Sequence, residues 1–108
     1  MTKIFYSPET YRLEAVGHAG AGTKGNDLVC AGITTLMATA VAALEKKEIR
    51  TQVVAEEDTG EMEIRADPGI AQVVIARVIL DTVAAGLEEM ARAHPENVRV
   101  QRIVWGEE

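Results

Sequence analysis

Apolar and polar positions alternate in two short stretches at the start of the chain. Residues 2–7 and 10–18 each read as a strand, joined by a turn at Ser7-Pro8-Glu9. In the second stretch Tyr11, Leu13 and Ala15 alternate with Arg12 and Glu14, the period of two expected of a half-buried strand. Glycines then dominate until Asp27. From Asp27 to about Lys47 the period lengthens: Val29, Ile33, Leu36, Met37, Val41 and Leu44 recur at three- and four-residue steps, which predicts a helix. Alternation returns from Ile49 to Ala55, Asp58-Thr59-Gly60 supplies a turn, and Met62, Ile64 and Ala66 form a returning strand. The run Val73 to Leu80 is β-branched enough for a strand. Asp67-Pro68, however, reads as an N-cap with proline at the first helical position, and the unbroken segment reaches Ala93, too long for a strand. His94-Pro95 stops that helix, with His94 as its C-terminal cap, and Val98 to Trp105 gives a last strand.

The order ββαββαβ with short connections predicts an α+β fold: a two-layer sandwich, a mixed or antiparallel sheet with two helices on one face. Residues 1–108 are read as a single domain, and a 47% hydrophobic composition suffices for its core without disulfides or a structural metal. The second helix is apolar around more than half its circumference, more than one sheet face can bury, so a homodimer is expected to cover the excess. Light scattering that gives a monomer at micromolar concentration removes that expectation.

Charge and cysteine usage narrow the setting. A net charge of −6 argues against nucleic acid as a direct ligand, because backbone phosphates call for clustered Lys and Arg. The acidic group Glu56-Glu57-Asp58 reads as a solvated turn that would not repel a basic partner peptide. One cysteine cannot form an internal bridge, the N-terminus reads as a strand rather than a targeting peptide, and no uncharged run of transmembrane length is expected. These features together predict a cytoplasmic protein of a reducing compartment, away from membranes.

The segment Gly17-His18-Ala19-Gly20-Ala21-Gly22-Thr23-Lys24-Gly25 sits between a strand and a helix, where glycine-rich turns can cradle phosphate. The order is wrong for that: a Walker loop needs glycine followed by Lys and then Ser or Thr, and here Thr23 precedes Lys24. Nor is there the spacing of a dinucleotide fingerprint. What remains is a plain connection or a lid, and the position between His18 and Cys30 favours a lid built on Gly20, Gly22 and Gly25.

Cys30, Asp27 and His18 each have an ordinary explanation: a small buried hydrophobe, a helix N-cap and an exposed edge residue. Together they have a chemical logic. Capped by Asp27, the helix would place Cys30 in its first turn, where unpaired amides and the dipole favour an anion. Two pH units of extra thiol ionisation require about 2.7 kcal/mol. The dipole supplies only about 0.3–1 kcal/mol. A nearby imidazolium would make up the difference, and of the two histidines His18 is the better placed. Amides at the helix start could also act as oxyanion donors. Asp27 could hold backbone amides or orient the imidazole, and the sequence leaves both open. A non-catalytic binding or assembly factor with a packed or redox-sensing cysteine is the alternative from another class.

The residues Gly17-His18-Ala19 and Gly25-Asn26-Asp27-Leu28-Val29-Cys30-Ala31 resemble the signature of the ribosomal-processing cysteine protease Prp family, and the likeness extends over nearly the whole chain through its element order. The resemblance implies a Cys/His dyad that removes a short N-terminal extension from a large-subunit ribosomal protein, with that tail as substrate. It implies Cys30 as nucleophile, His18 as general base, Asp27 in the matching acidic position, a gating loop between them and a homodimer. No metal or other cofactor is expected. Gly32 and Thr34 depart from relatives that carry Ala and Ser there.

Overall fold

The structure, a computed structural model, describes residues 1–22 and 27–104. Strand β1 (Thr2–Ser7) turns through a single 3-10 turn at Pro8–Thr10 into β2 (Arg12–Val16). Tyr11 takes a left-handed φ of 55° at the corner, which starts β2 two residues later than the alternation suggests. Helix α1 (Leu28–Lys46) leads to the hairpin β3 (Arg50–Glu56) and β4 (Glu61–Asp67), and α2 (Val73–Ala93) leads to β5 (Val98–Arg102). The strands form one sheet in the order β3-β4-β2-β1-β5. β5 lies parallel to β1 and every other pairing is antiparallel, so the sheet is mixed.

Two crossovers explain why both helices share a face. β2–α1–β3 steps over β4 in one direction, and β4–α2–β5 steps over β2 and β1 in the other. The starting strands, β2 and β4, are antiparallel. Right-handed crossovers that leave antiparallel strands in opposite directions put their helices on the same side. The register agrees. Ile4, Ala15 and Met62 sit abreast, as do Tyr6, Leu13 and Ile64, and this row faces α1 and α2. The α1 stripe Val29, Ile33, Met37, Ala40 and Leu44 and the α2 stripe Ala76, Leu80, Val83, Ala84 and Leu87 close the core. α2 passes close to Gly32, where an added Cβ would lie 2.9 Å from Met90 Sδ, so an alanine would need the flexible thioether to shift.

The opposite sheet face is polar, so no second helical layer is needed. Glu63 accepts from Arg12 Nε at 2.7 Å and from Arg65 Nε at 2.9 Å. Burial alone would raise the Glu63 carboxyl, but the bonds from Arg12 and Arg65 outweigh it and hold the group below its usual range. Its cross-strand neighbour Glu14 is pushed up, first by burial and then by Glu63 itself. On the helix side, the Tyr6 hydroxyl donates to the Asp81 carboxylate and ties β1 to α2. Leu28–Lys46 and Ile70–Ala93 are long and apolar enough by composition to cross a membrane, yet their buried stripes pack on the sheet.

Two boundaries differ from the sequence reading. Asp67 ends β4 instead of capping α2: the chain makes a 3-10 turn at Ile70–Gln72 first, and the Gln72 side chain accepts from the Gly69 amide at 2.9 Å. β5 ends at Arg102, and Trp105 lies outside the described residues. His94 does cap α2, its amide donating to the Met90 carbonyl at 2.8 Å.

Candidate active site

The helix side of β3 is incompletely covered. Beyond Thr51 the inward-facing Val53 is 43% exposed and Ala55 is also exposed. A cavity of about 390 Å³ opens there between the first half of α1 and strands β2, β3 and β4. Ala15, Ile33, Met37, Ala55 and Met62 form its apolar end, and Cys30, His18 and Glu57 lie on its wall. A second, more polar hollow adjoins it, lined by Gly20, Gly22, Asp27, Thr35 and Asp58, and it shares Cys30, His18, Thr34 and Glu57 with the first. The two make one groove with the cysteine and the histidine at its middle.

The Gly17-His18-Ala19 motif has a local physical cause. Gly17 adopts φ 90°, and a Cβ there would lie 2.7 Å from the Met1 carbonyl oxygen, so a side chain is excluded on both counts. Its own carbonyl accepts from Thr2 Oγ1 at 3.0 Å. Ala19 is buried, and its carbonyl accepts from Asn97 Nδ2 at 3.0 Å. With the residues on either side fixed, His18 projects from the surface as an exposed side chain.

The β3–β4 turn holds the imidazole. His18 Nε2 lies 3.3 Å from the Asp58 backbone carbonyl. A carbonyl can only accept, so Nε2 carries the proton in this bond and the neutral ring keeps its lone pair on Nδ1. Gly60, at φ 66°, presses on the same ring: a Cβ there would lie 2.9 Å from the Gly17 backbone and 3.1 Å from His18 Cε1. From the sequence, Glu56-Glu57-Asp58 reads as a solvated turn. It is exposed, but it also forms one wall of the groove. The turn signal Asp58-Thr59-Gly60 was visible in the sequence, whereas its approach to His18 follows from the β2–β4 register.

Asp27 is the N-cap of α1. Its Oδ1 accepts from the Cys30 amide at 2.9 Å and its Oδ2 from the Ala21 amide at 3.1 Å. These bonds, the one from Cys30 foremost, hold its carboxyl below the usual carboxylate range. One carboxylate thus clasps the glycine segment to the helix start. The described bonds give it this role and not that of orienting the imidazole. Cys30 is half-buried in the first turn of α1, against the core on one side and the groove on the other. Its own amide is taken by Asp27, and the Ala31 amide donates to the Asp27 carbonyl at 3.0 Å. The Cys30 and Ala31 amides are therefore both engaged within the cap. Of the expected lid glycines, Gly20 and Gly22 line the groove, and Gly25 lies outside the described residues.

A small α+β domain whose groove is centred on a first-turn cysteine and a turn-held histidine has the makings of a thiol hydrolase. The family model for cysteine protease Prp matches residues 1–99, and the chain belongs to that family of cysteine proteases. Among solved structures it is similar to the ribosomal processing protease Prp of S. aureus with a covalently linked product peptide. That match has 23% identity and a TM-score of 0.83, covering 95% of this chain and 100% of that one. The S. aureus protease with a substrate peptide matches at 22% identity and a TM-score of 0.78, with the same coverage. A Streptococcus mutans protein matches at 25% identity and a TM-score of 0.76, over 94% of this chain and 91% of that one. No curated protein sequence matches the chain.

Proposed function

We propose that this cysteine protease trims a short N-terminal extension from a large-subunit ribosomal protein, using Cys30 and His18 as its dyad. Cys30 Sγ attacks the scissile carbonyl. The imidazole takes the thiol proton and returns it to the leaving amine, and water then hydrolyses the thioester. The observation that carries this reading is the placement of Cys30 and His18 on one groove, with Asp58 fixing the proton on Nε2. The S. aureus relatives with substrate and product peptides support a peptide as the occupant of that groove. Gly20 and Gly22, clasped through Ala21 to Asp27, serve as the gate over it.

The enzyme acts in the cytoplasm, where ribosomal proteins are made and a lone thiol stays reduced. It works as a homodimer that covers the α2 face on which Val74 is 74% and Val78 59% exposed, continuous with Ile70. The test is the intact masses of large-subunit ribosomal proteins from cells carrying the wild-type enzyme or Cys30→Ser. One protein should keep its N-terminal extension in the variant. Identical mature masses in both strains would contradict the substrate assignment.

A further inference from the structure

We propose that Asn97, on the turn between α2 and β5, is a positioning residue that sets the His18 imidazole by gripping the main chain just behind it. This rests on the Cys30/His18 reading above and adds what keeps the base in place. His18 itself offers little to hold. Its side chain is exposed, and its ring meets the β3–β4 turn at the Asp58 carbonyl and at Gly60. Its place is therefore decided by the main chain on either side. Before it, the Gly17 carbonyl accepts from Thr2 Oγ1 at 3.0 Å. After it, Ala19 is 1% exposed, and its carbonyl accepts from Asn97 Nδ2 at 3.0 Å. The next residue, Gly20, has φ 73° and open space where a Cβ would stand, so packing at Gly20 does not brace Ala19.

Asn97 reaches both sides of the histidine at once. Its side chain takes Ala19, and its main-chain carbonyl accepts from the Thr2 amide at 2.8 Å. Thr2 is the residue whose hydroxyl holds Gly17, and it pairs with Val98 in the parallel β1–β5 ladder. The turn is closed by its own main chain, because the Asn97 and Val98 amides both donate to the His94 carbonyl at 3.0 Å. The side-chain amide is thereby left for a contact 78 positions away along the chain. Without that donor the buried Ala19 carbonyl would be drawn toward solvent, and the imidazole would follow. The segment assigned to the gate begins at Gly20, so Ala19 is also the fixed point that lets the gate shift without dragging the base.

The full-length enzyme is tested in two ways. One is cleavage of a synthetic peptide spanning the cleaved junction of the ribosomal-protein tail. The other is imidazole nitrogen NMR, which reads which ring nitrogen of His18 carries the proton. Asn97→Asp keeps the shape but points an anionic oxygen at the Ala19 carbonyl, whereas Asn97→Ala leaves room for water to stand in. Asn97→Asp should lower kcat about tenfold or more and Asn97→Ala about threefold, each with KM within about twofold of wild type. In both, the proton should spread from Nε2 onto Nδ1 as the Asp58 bond loosens. Leu80→Ala, weakened in the core, is the control: at a temperature where it is folded it should keep the wild-type kcat and the Nε2 proton. If Asn97→Asp does not fold, Asn97→Ala carries the test. Wild-type kcat in the Asn97 variants, with the proton still on Nε2, overturns the proposal while the dyad stands. So does a loss of kcat that Leu80→Ala matches, or a raised KM with kcat unchanged. If His18→Ala cuts the peptide at the wild-type rate, the dyad reading fails and takes this proposal with it. If the wild-type enzyme leaves the peptide uncut, the substrate assignment fails and the NMR measurement decides the proposal by itself.

Discussion

Gly60 illustrates how a residue without a side chain can tune a reacting one. It sits where a methyl group would collide with both the Gly17 backbone and the His18 ring. Gly60→Ala must strain a left-handed turn and push the imidazole, so kcat should fall about tenfold or more while KM changes little. Steady-state kinetics on the tail peptide measures the split. Asp27 gives a pH signature. Its folded-state carboxyl ionises below the unfolded value of about 3.9, so its contribution is present above that pH and is lost as pH falls through the folded value. Asp27→Asn should therefore be less stable than wild type at neutral pH, with the gap closing below about pH 4. Thermal melts between pH 7 and pH 2 follow the difference. The sequence singles out Cys30, His18 and Asp27, which line one hollow in the structure, because their motifs are short and local. It could not name Asp58 or Gly60, whose partner lies some forty positions away along the chain.

The helices and hairpins were largely legible, since periods of two and of three to four survive in any window of the chain. α1 begins where Asp27 caps it, and its buried stripe contains the predicted Val29, Ile33, Met37 and Leu44. The start of α2 was misplaced because Asp67-Pro68 satisfies the cap rule locally. Asp67 remains paired with Arg50 in the hairpin, and the helix waits until Val73. A tertiary ladder has overridden a local propensity. Leu80, fully buried on α2 over the sheet, reports on that packing. Leu80→Ala should cost about 2–5 kcal/mol in urea unfolding, because a cavity remains where the side chain was.

For the molecule as a whole, two oppositely directed crossovers gather both helices on one side and leave the other face to the Arg12–Glu63–Arg65 cluster. Nothing in a single strand announces that topology; it follows from the element order together with the handedness of crossovers. The apolar surplus of α2 was visible as composition, and the exposed Val74 and Val78 give it a location. Val74→Asp combined with Val78→Asp should halve the mass seen by light scattering if that face joins two copies, without loss of the folded spectrum.

Formation of a thioester on Cys30 tests the dyad most directly. Enzyme mixed with the tail peptide and quenched in acid is read by intact-protein mass spectrometry, and the adduct is mapped by digestion. A transient gain equal to the acyl half of the peptide is expected on Cys30, absent in Cys30→Ser and strongly slowed in His18→Ala. Cleavage with no adduct on Cys30, or an adduct whose rate ignores His18, would contradict it.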